Sequence, residues 1–285
     1  MALPVRARDD VPMSRAAVIQ MNSGADRDAN LAAAAGGLRA AADAGASLAV
    51  LPENFACMGE RESDKLALAE GDGSGPIQDF LAAQARALSL WIVGGTIPLA
   101  VPGDSGRVHA ACGVWNPQGV RVARYDKIHL FDIEVPDGSG ERYRESATIA
   151  PGAPEPVVVD TPLGRLGLSV CYDLRFPELY RRLLAAGAEV LCVPSAFTAR
   201  TGEAHWEMLL RARAVENLCH VLASNQCGTH AAGRRTWGHS CIIDPWGRVL
   251  DDAGDAPGVV VAELDAQARQ AQRRSFPALD HRRLT

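Results

Sequence analysis

Short apolar runs alternate with Ala-rich stretches along nearly the whole chain, and this alternation limits the fold more than any other feature of the sequence. The apolar runs are rich in Val, Ile and Leu and are as short as buried strands, whereas the Ala-rich stretches are long enough for helices. Gly and Pro mark the boundaries between them. The pattern predicts strands over 15–21, 48–51, 91–97, 157–161, 165–170, 190–193, 220–225, 240–243 and 259–263. It predicts helices over 26–44, 76–90, 205–218 and 265–274, and another from about residue 177 that Gly187 ends.

Residues 110–125 break the simple alternation. Two runs of strand formers, 110–116 and 120–125, flank a Pro117–Gly119 segment, which predicts a β-hairpin. Strands that occur both in hairpins and beside helices indicate mixed sheets in an α/β fold. Because no segment is long enough to be a linker, we expect residues 14–285 to form one domain after an N-terminal tail, 1–13.

The charge balance argues against some classes of partner. The 285 residues include 29 Lys and Arg against 34 Asp and Glu, a formal net charge of −5, whereas nucleic-acid binders usually present a basic face. No apolar stretch is long enough to span a bilayer. Asp9 and Asp10 fall where a secretory signal would have its apolar core. We therefore expect no nucleic-acid partner, no membrane partner and a cytoplasmic location.

The seven cysteines, at positions 57, 112, 171, 192, 219, 227 and 241, are widely spaced. A disulfide scaffold needs dense cysteines in a short chain, and a zinc site usually needs close ligand pairs. The sequence has neither pattern, so it predicts no metal site. For most of these cysteines, burial as a small apolar side chain is the ordinary interpretation.

Cys171 is the exception, because it lies between a predicted strand and a predicted helix. Such a junction exposes the residue at the edge of the sheet and directs backbone N–H groups toward a ligand. A helix N-terminus also favours the thiolate, and a nearby cation favours it further. Two interpretations remain open from the residues alone, a nucleophile and a buried structural thiol.

Three charged residues follow other predicted strands or lie between them. Glu53 comes directly after the run LAVLP, Lys127 follows the second strand of the hairpin, and Glu145 lies in the loop before Cys171. Each one, taken alone, fits an ordinary surface position. The histidines at 129, 205, 220 and 239 have no context that favours a catalytic base.

Three segments carry a resemblance to a known family. They are LPENF around Glu53, RYDKIHLFD around Lys127 and SVCYDLRFPELYR around Cys171. Over essentially its whole length after the tail, the chain resembles the nitrilase superfamily of carbon–nitrogen hydrolases. Glu, Lys and Cys follow in the order of that family's catalytic set, and Glu145 matches its second glutamate. The resemblance implies a four-layer α–β–β–α sandwich with two mixed sheets.

Within the superfamily, the chain resembles the amidase branch that contains ω-amidase and deaminated-glutathione amidase. Residues 195–217 resemble both, whereas residues 225–230, 237–247 and 273–283 are more similar to the second. The resemblance implies hydrolysis of deaminated glutathione to 2-oxoglutarate and cysteinylglycine. Three alternatives stay open: an ω-amidase or other small-amide hydrolase, a true nitrilase, and a non-catalytic scaffold. A scaffold, however, would be free to lose Glu53, Lys127 or Cys171.

The resemblance also implies a two-step acyl transfer. Glu53 takes the thiol proton, and Cys171 attacks the amide to give a thioester that water then hydrolyses. Lys127 and the backbone N–H of Tyr172 stabilise the oxyanion, and Glu145 holds Lys127. No metal or organic cofactor is required.

The resemblance implies substrate contacts and an assembly as well. Arg175 is the candidate for the substrate carboxylate, since a guanidinium binds a carboxylate with two hydrogen bonds, although a surface ion pair would also suit it. Phe197 and Thr201 would line the same end of the pocket, although core packing would equally explain Phe197. The family implies a homodimer or a higher homo-oligomer, paired through helices 177–186 and 205–218.

Overall fold

The computed structural model describes residues 14–134 and 142–284. The predicted tail, 1–13, lies outside the described residues. The strands are β1 (Ser14–Gln20), β2 (Ala46–Val50), β3 (Trp91–Val93), β4 (Ile97–Val101), β5 (Asp104–Trp115), β6 (Arg121–Asp126), β7 (Asp132–Glu134), β8 (Arg142–Arg144), β9 (Val158–Thr161), β10 (Gly164–Leu168), β11 (Val190–Ser195), β12 (His220–Asn225), β13 (Cys227–Thr229), β14 (Arg235–Trp237), β15 (Cys241–Ile243), β16 (Val249–Asp252) and β17 (Gly258–Leu264). The helices are α1 (Arg27–Asp43), α2 (Pro76–Leu88), α3 (Pro177–Ala185), α4 (Ala199–Asn217) and α5 (Ala266–Ser275).

The first large sheet has the strand order β17-β1-β2-β3-β5-β4, with β6 also paired to β5. Strands β1, β2 and β3 are parallel, while β17 and β5 run antiparallel to their neighbours. Side chains of β1 alternate between the two faces of the sheet. Ala17 and Ile19 pack under α1 and α2, whereas Ala16 and Val18 face the second sheet.

The second large sheet has the order β16-β15-β12-β11-β10-β9. Its strands β10, β11 and β12 are parallel, and β11 and β12 are buried throughout. Helices α3 and α4 cover its outer face with Leu183, Trp206 and Leu210, and its inner face packs against the first sheet. The layers therefore run helix, sheet, sheet, helix, which confirms the predicted mixed-sheet sandwich.

Most predicted elements are present, although some bounds differ, as at the start of α4. The sequence predicted a helix from His205, but α4 begins at Ala199. Gly202 lowers helix propensity in this segment. Its place in the helix is explained by packing, because a Cβ there would lie 2.2 Å from the Cβ of Trp237 on β14. As predicted, Gly187 follows the end of α3 with a left-handed φ of 92°.

In the part of the chain that the structure describes, no helix combines the length and the apolar character that crossing a bilayer requires.

Candidate active site

The topology of the first sheet places Glu53 and Lys127 at the same edge. Strand β2 is parallel to β3, and β6 runs in the same direction because both β3 and β6 are antiparallel to β5. Glu53 follows the end of β2, and Lys127 follows β6 directly. Carboxyl ends of parallel strands meet at one edge, so side chains that are 74 positions apart in the sequence meet there.

The second sheet supplies Cys171 in the same way. Strands β10 and β11 are parallel, and their carboxyl ends lead to Cys171 and Ala196. Cys171 has a left-handed φ of 46°, a conformation that costs a non-glycine residue about 1–3 kcal/mol and is common at functional sites. It opens a 3-10 turn, Cys171–Arg175, and α3 begins only at Pro177. The Tyr172 N–H lies in the first turn, where hydrogen bonds within the turn do not use it.

Lys127 joins the buried carboxylate of Glu53 to the partly buried carboxylate of Glu145. Its Nζ donates to Glu53 Oε1 at 2.8 Å and to both carboxylate oxygens of Glu145 at 2.9 Å. Glu53 Oε2 accepts from the Ala196 N–H at 2.9 Å, and Glu145 Oε2 accepts from the Phe131 N–H at 2.7 Å. Side chains from the first sheet and from the Glu145 segment, with a backbone N–H at the end of β11, thus fix one ammonium and two carboxylates in place.

The charges of this cluster explain the direction of each pKa shift. Burial alone would raise the pKa of Glu53, but the attraction of the Lys127 ammonium outweighs it and lowers this pKa. Burial alone would lower the pKa of Lys127, but Glu145 and Glu53 raise it well above its usual value. Glu53 is therefore ionised and Lys127 is protonated at neutral pH.

The state of Cys171 differs from the expectation drawn from the sequence. Burial and the Glu53 carboxylate raise the pKa of its thiol, and Lys127 only partly opposes them. A 3-10 turn rather than a helix follows Cys171, so no helix N-terminus is placed to stabilise the thiolate. The expected helix N-terminus and nearby cation therefore do not make the thiolate the favoured form here. The thiol keeps its proton, and it lines the same cavity as the Glu53 carboxylate.

Asp173 connects the cysteine turn to the strand that carries Lys127. Its fully buried carboxylate accepts from the Tyr125 hydroxyl at 2.7 Å and from the Val170 N–H at 2.8 Å. It also accepts from the N–H of His129 at 3.2 Å and lies 2.7 Å from its Nδ1. Tyr125 and His129 flank Lys127, and Val170 precedes Cys171. The network therefore fixes the ammonium and the sulfur relative to each other.

Glu53, Lys127, Glu145 and Cys171 line one cavity. Its lining includes every site residue that the sequence predicted: Glu53, Lys127, Glu145, Cys171, Tyr172, Arg175, Phe197 and Thr201.

Arg175 lies over two aromatic rings of this cavity. Its guanidinium carbon is 5.1 Å from the ring centre of Phe197 and 5.8 Å from that of Tyr172. Its Nη1 donates to His205 Nδ1 at 3.1 Å. No carboxylate within 14–134 or 142–284 lies at salt-bridge distance from it, so the expected surface ion pair is not its environment here.

The cavity also includes charged residues that sequence reasoning missed. Glu62 forms ion pairs with Lys65 at 2.9 Å and with Arg234 at 3.0 Å. His205, set aside as a histidine without a favourable context, orients Arg175. These residues lie outside the three segments that carry the family resemblance, and 172 positions separate Glu62 from Arg234. No local pattern could therefore have found them.

Comparison with known proteins identifies the family of this chain. The carbon-nitrogen hydrolase family model matches residues 15–274. The chain is 45% identical over 268 residues to the deaminated glutathione amidase of Synechocystis sp. strain PCC 6803, which covers 94% of this chain and 97% of that protein.

Two solved structures are similar as well. The NitFhit protein of C. elegans has a TM-score of 0.88 at 37% identity, over 95% of this chain and 65% of that protein. Saccharomyces cerevisiae Nit3, described as a member of branch 10 of the nitrilase superfamily, has a TM-score of 0.85 at 30% identity, over 98% of this chain and 100% of that protein. The chain thus spans just under two thirds of the NitFhit protein but all of Nit3.

Proposed function

The chain belongs to the carbon–nitrogen hydrolase family, and from this premise we propose that it hydrolyses deaminated glutathione to 2-oxoglutarate and cysteinylglycine. That it is an amidase acting on amide C–N bonds follows from its family and relatives. The proposal for the substrate is supported by the 45% identity to a deaminated glutathione amidase over 94% of the chain.

The observation that carries the catalytic proposal is the pair of carboxylates held by Lys127 beside the Cys171 thiol. Glu53, ionised and in the same cavity as the thiol, takes its proton as sulfur attacks the amide carbon. Lys127 and the Tyr172 N–H donate to the oxyanion. Glu53 passes this proton to the departing nitrogen, the amine leaves, and the ionised Glu53 then activates the water that hydrolyses the thioester. Glu145 positions Lys127 and balances its charge.

Arg175 is the proposed anchor for the carboxylate next to the 2-oxo group. Its guanidinium faces the cavity without a carboxylate partner among the described residues, and burial lowers its pKa, as expected for a cation that lacks a counterion. An incoming carboxylate would supply that counterion. Phe197 and Thr201 form the adjoining wall.

A panel of amides tests this function. We expect kcat/KM for deaminated glutathione to exceed that for 2-oxoglutaramate by about tenfold or more, because its larger leaving group can make further contacts with the cavity wall. Arg175→Gln should lower kcat/KM for both amides by about 10- to 100-fold. Arg175→Lys keeps the charge but loses the planar guanidinium, so its kcat/KM should lie between those of wild type and Arg175→Gln. A strong preference of the wild-type enzyme for 2-oxoglutaramate would instead identify an ω-amidase, and ammonia released from simple nitriles would identify a nitrilase.

We also propose that the enzyme is a homodimer paired through α3 and α4. Exposed apolar side chains on and near α4 support this: Met208, Val215, Trp246 and Phe276. A stable dimer usually buries about 800 Å² per partner, and an apolar group of this kind suits the centre of such an interface. Sedimentation velocity should give a dimer mass that falls to a monomer with Met208→Glu and Trp246→Glu. The cytoplasmic location stays a prediction.

A further inference from the structure

The cavity is positively charged in an acidic protein. Its lining includes five cationic side chains and three carboxylates, a formal excess of two positive charges, whereas the whole chain carries −5. The cationic side chains are Lys65, Lys127, Arg144, Arg175 and Arg234. The proposed catalytic cluster accounts for only one cation, so the excess lies with groups that would face the substrate.

Three aromatic rings form an arc along the cavity wall, and two of the cationic side chains stack on its outer rings. The guanidinium of Arg175 lies over Tyr172 at 5.8 Å, and that of Arg234 lies over Tyr143 at 5.4 Å. Phe131 lies between the two tyrosines, with 5.0 Å between its ring centre and each of theirs. One arginine therefore lies at each end of the arc, and Cys171 is adjacent in the chain to Tyr172, at the Arg175 end.

The Arg234 end carries a local positive charge. Glu62 bridges Lys65 and Arg234, and although its own burial opposes ionisation, these two cations lower its pKa. The three side chains therefore sum to one positive charge. Arg234 Nε is buried and has no hydrogen-bond partner among the described residues, although a buried donor normally has one.

We propose that Arg234, supported by Lys65 and Glu62, binds a carboxylate on the leaving amine of the substrate. The inference rests on the proposed function, because deaminated glutathione has one carboxylate at each end. The 2-oxo acid end is held by Arg175, and the carboxylate of the cysteinylglycine half reaches Arg234. Two extended residues span about 7 Å, so this carboxylate stands well clear of the reacting carbon. Arg234 thereby selects amides whose leaving group is a short peptide with a free C-terminal carboxylate.

The test compares deaminated glutathione with its C-terminal carboxamide, in which the distant carboxylate alone is neutralised. We expect wild-type kcat/KM to favour the acid by about 10- to 100-fold, the usual range for a hydrogen-bonded charge. Arg234→Gln should reduce this preference to about threefold or less. The loss should appear in KM, because the leaving carboxylate is held equally in the ground state and the transition state.

The matched control is Arg235→Gln, which removes the same charge from the next residue, an exposed one that does not line the cavity. This control should keep the preference for the acid. Lys65 is left unchanged in the test because its charge also lowers the pKa of Glu53. Equal wild-type rates on the two substrates, or a preference that survives Arg234→Gln, would overturn the inference.

A binding measurement separates failure of this inference from failure of the proposed function. Calorimetry on Cys171→Ala, with and without Arg234→Gln, compares the same two compounds without turnover. If wild-type enzyme hydrolyses 2-oxoglutaramate but not deaminated glutathione, the proposed function fails. Tighter binding of the acid that Arg234→Gln abolishes would still support the anion site in that case, and equal binding of acid and amide would overturn it.

Discussion

Cys171→Ala is expected to lower turnover of deaminated glutathione by about 10⁴-fold or more while it leaves the fold intact. Removing the nucleophile eliminates the acyl transfer itself, and no other described side chain of the cavity is a thiol. The structural cost is small, because alanine keeps the Cβ of cysteine and the left-handed φ of 46° strains both residues alike. Initial rates, together with the urea midpoint of unfolding, give both results.

Cys57→Ala is the matched control for this variant. Cys57 is half-buried and does not line the catalytic cavity, so its replacement should leave turnover within about twofold of wild type. Residual activity of Cys171→Ala above about one tenth of wild type would contradict the nucleophile assignment. A collapse of its unfolding midpoint would show instead that Cys171 is a structural thiol.

Lys127→Met is expected to abolish turnover and also to destabilise the protein by about 3–5 kcal/mol at neutral pH. Lys127 is 2% exposed and is the shared partner of Glu53 and Glu145. Its removal leaves two buried carboxylates without their cation, and breaking a buried ion pair in this way costs about that much. Loss of the oxyanion donor adds a further rate penalty of about 100- to 1000-fold.

The pH dependence of stability should reverse in this variant. In the wild-type protein the pKa of Glu53 is lowered, so the stability it contributes is present above its unfolded pKa of about 4.3 and is lost as the pH falls through the lower folded value. Without Lys127, burial raises the pKa of Glu53. The folded variant then favours the protonated acid, and stability is lost as the pH rises through the raised value.

Urea unfolding of both proteins from about pH 5 to about pH 8 measures this reversal. The gap in the free energy of unfolding should widen as the pH rises, and a constant gap would contradict the ion-pair account. Lys127→Met combined with Glu53→Gln and Glu145→Gln is the control. It removes the unpaired charges, so it should recover much of the stability while it remains inactive.

Much of the fold was predictable from the sequence because local patterns determine it. The apolar runs that predicted β1, β11 and β12 are central buried strands, where composition alone is informative. The short strands β7, β8, β13 and β14 were missed, since each has three residues and forms a two-stranded ribbon. Such segments depend on tertiary contacts more than on their own propensity.

The candidate site likewise has features that were predictable from the sequence and features that were not. Glu53, Lys127 and Cys171 each lie in a local motif, so the family resemblance predicted that they share one site. Neither the raised thiol pKa of Cys171 nor the position of Arg234 could be predicted. The first depends on the balance between burial and two neighbouring charges, and the second on a contact with Glu62 across 172 positions.

The most direct test of the account is to detect the acyl group on sulfur. A reaction with enzyme in excess over deaminated glutathione is quenched in acid within the first turnover. The protein is then digested, and the masses of its peptides are measured by mass spectrometry. The account predicts a peptide containing Cys171 that is heavier by the 2-oxoglutaryl group, a species that forms before 2-oxoglutarate and is absent from Cys171→Ala. A first turnover that completes with Cys171 unmodified at every quench time, or with the acyl group on another residue, would contradict it.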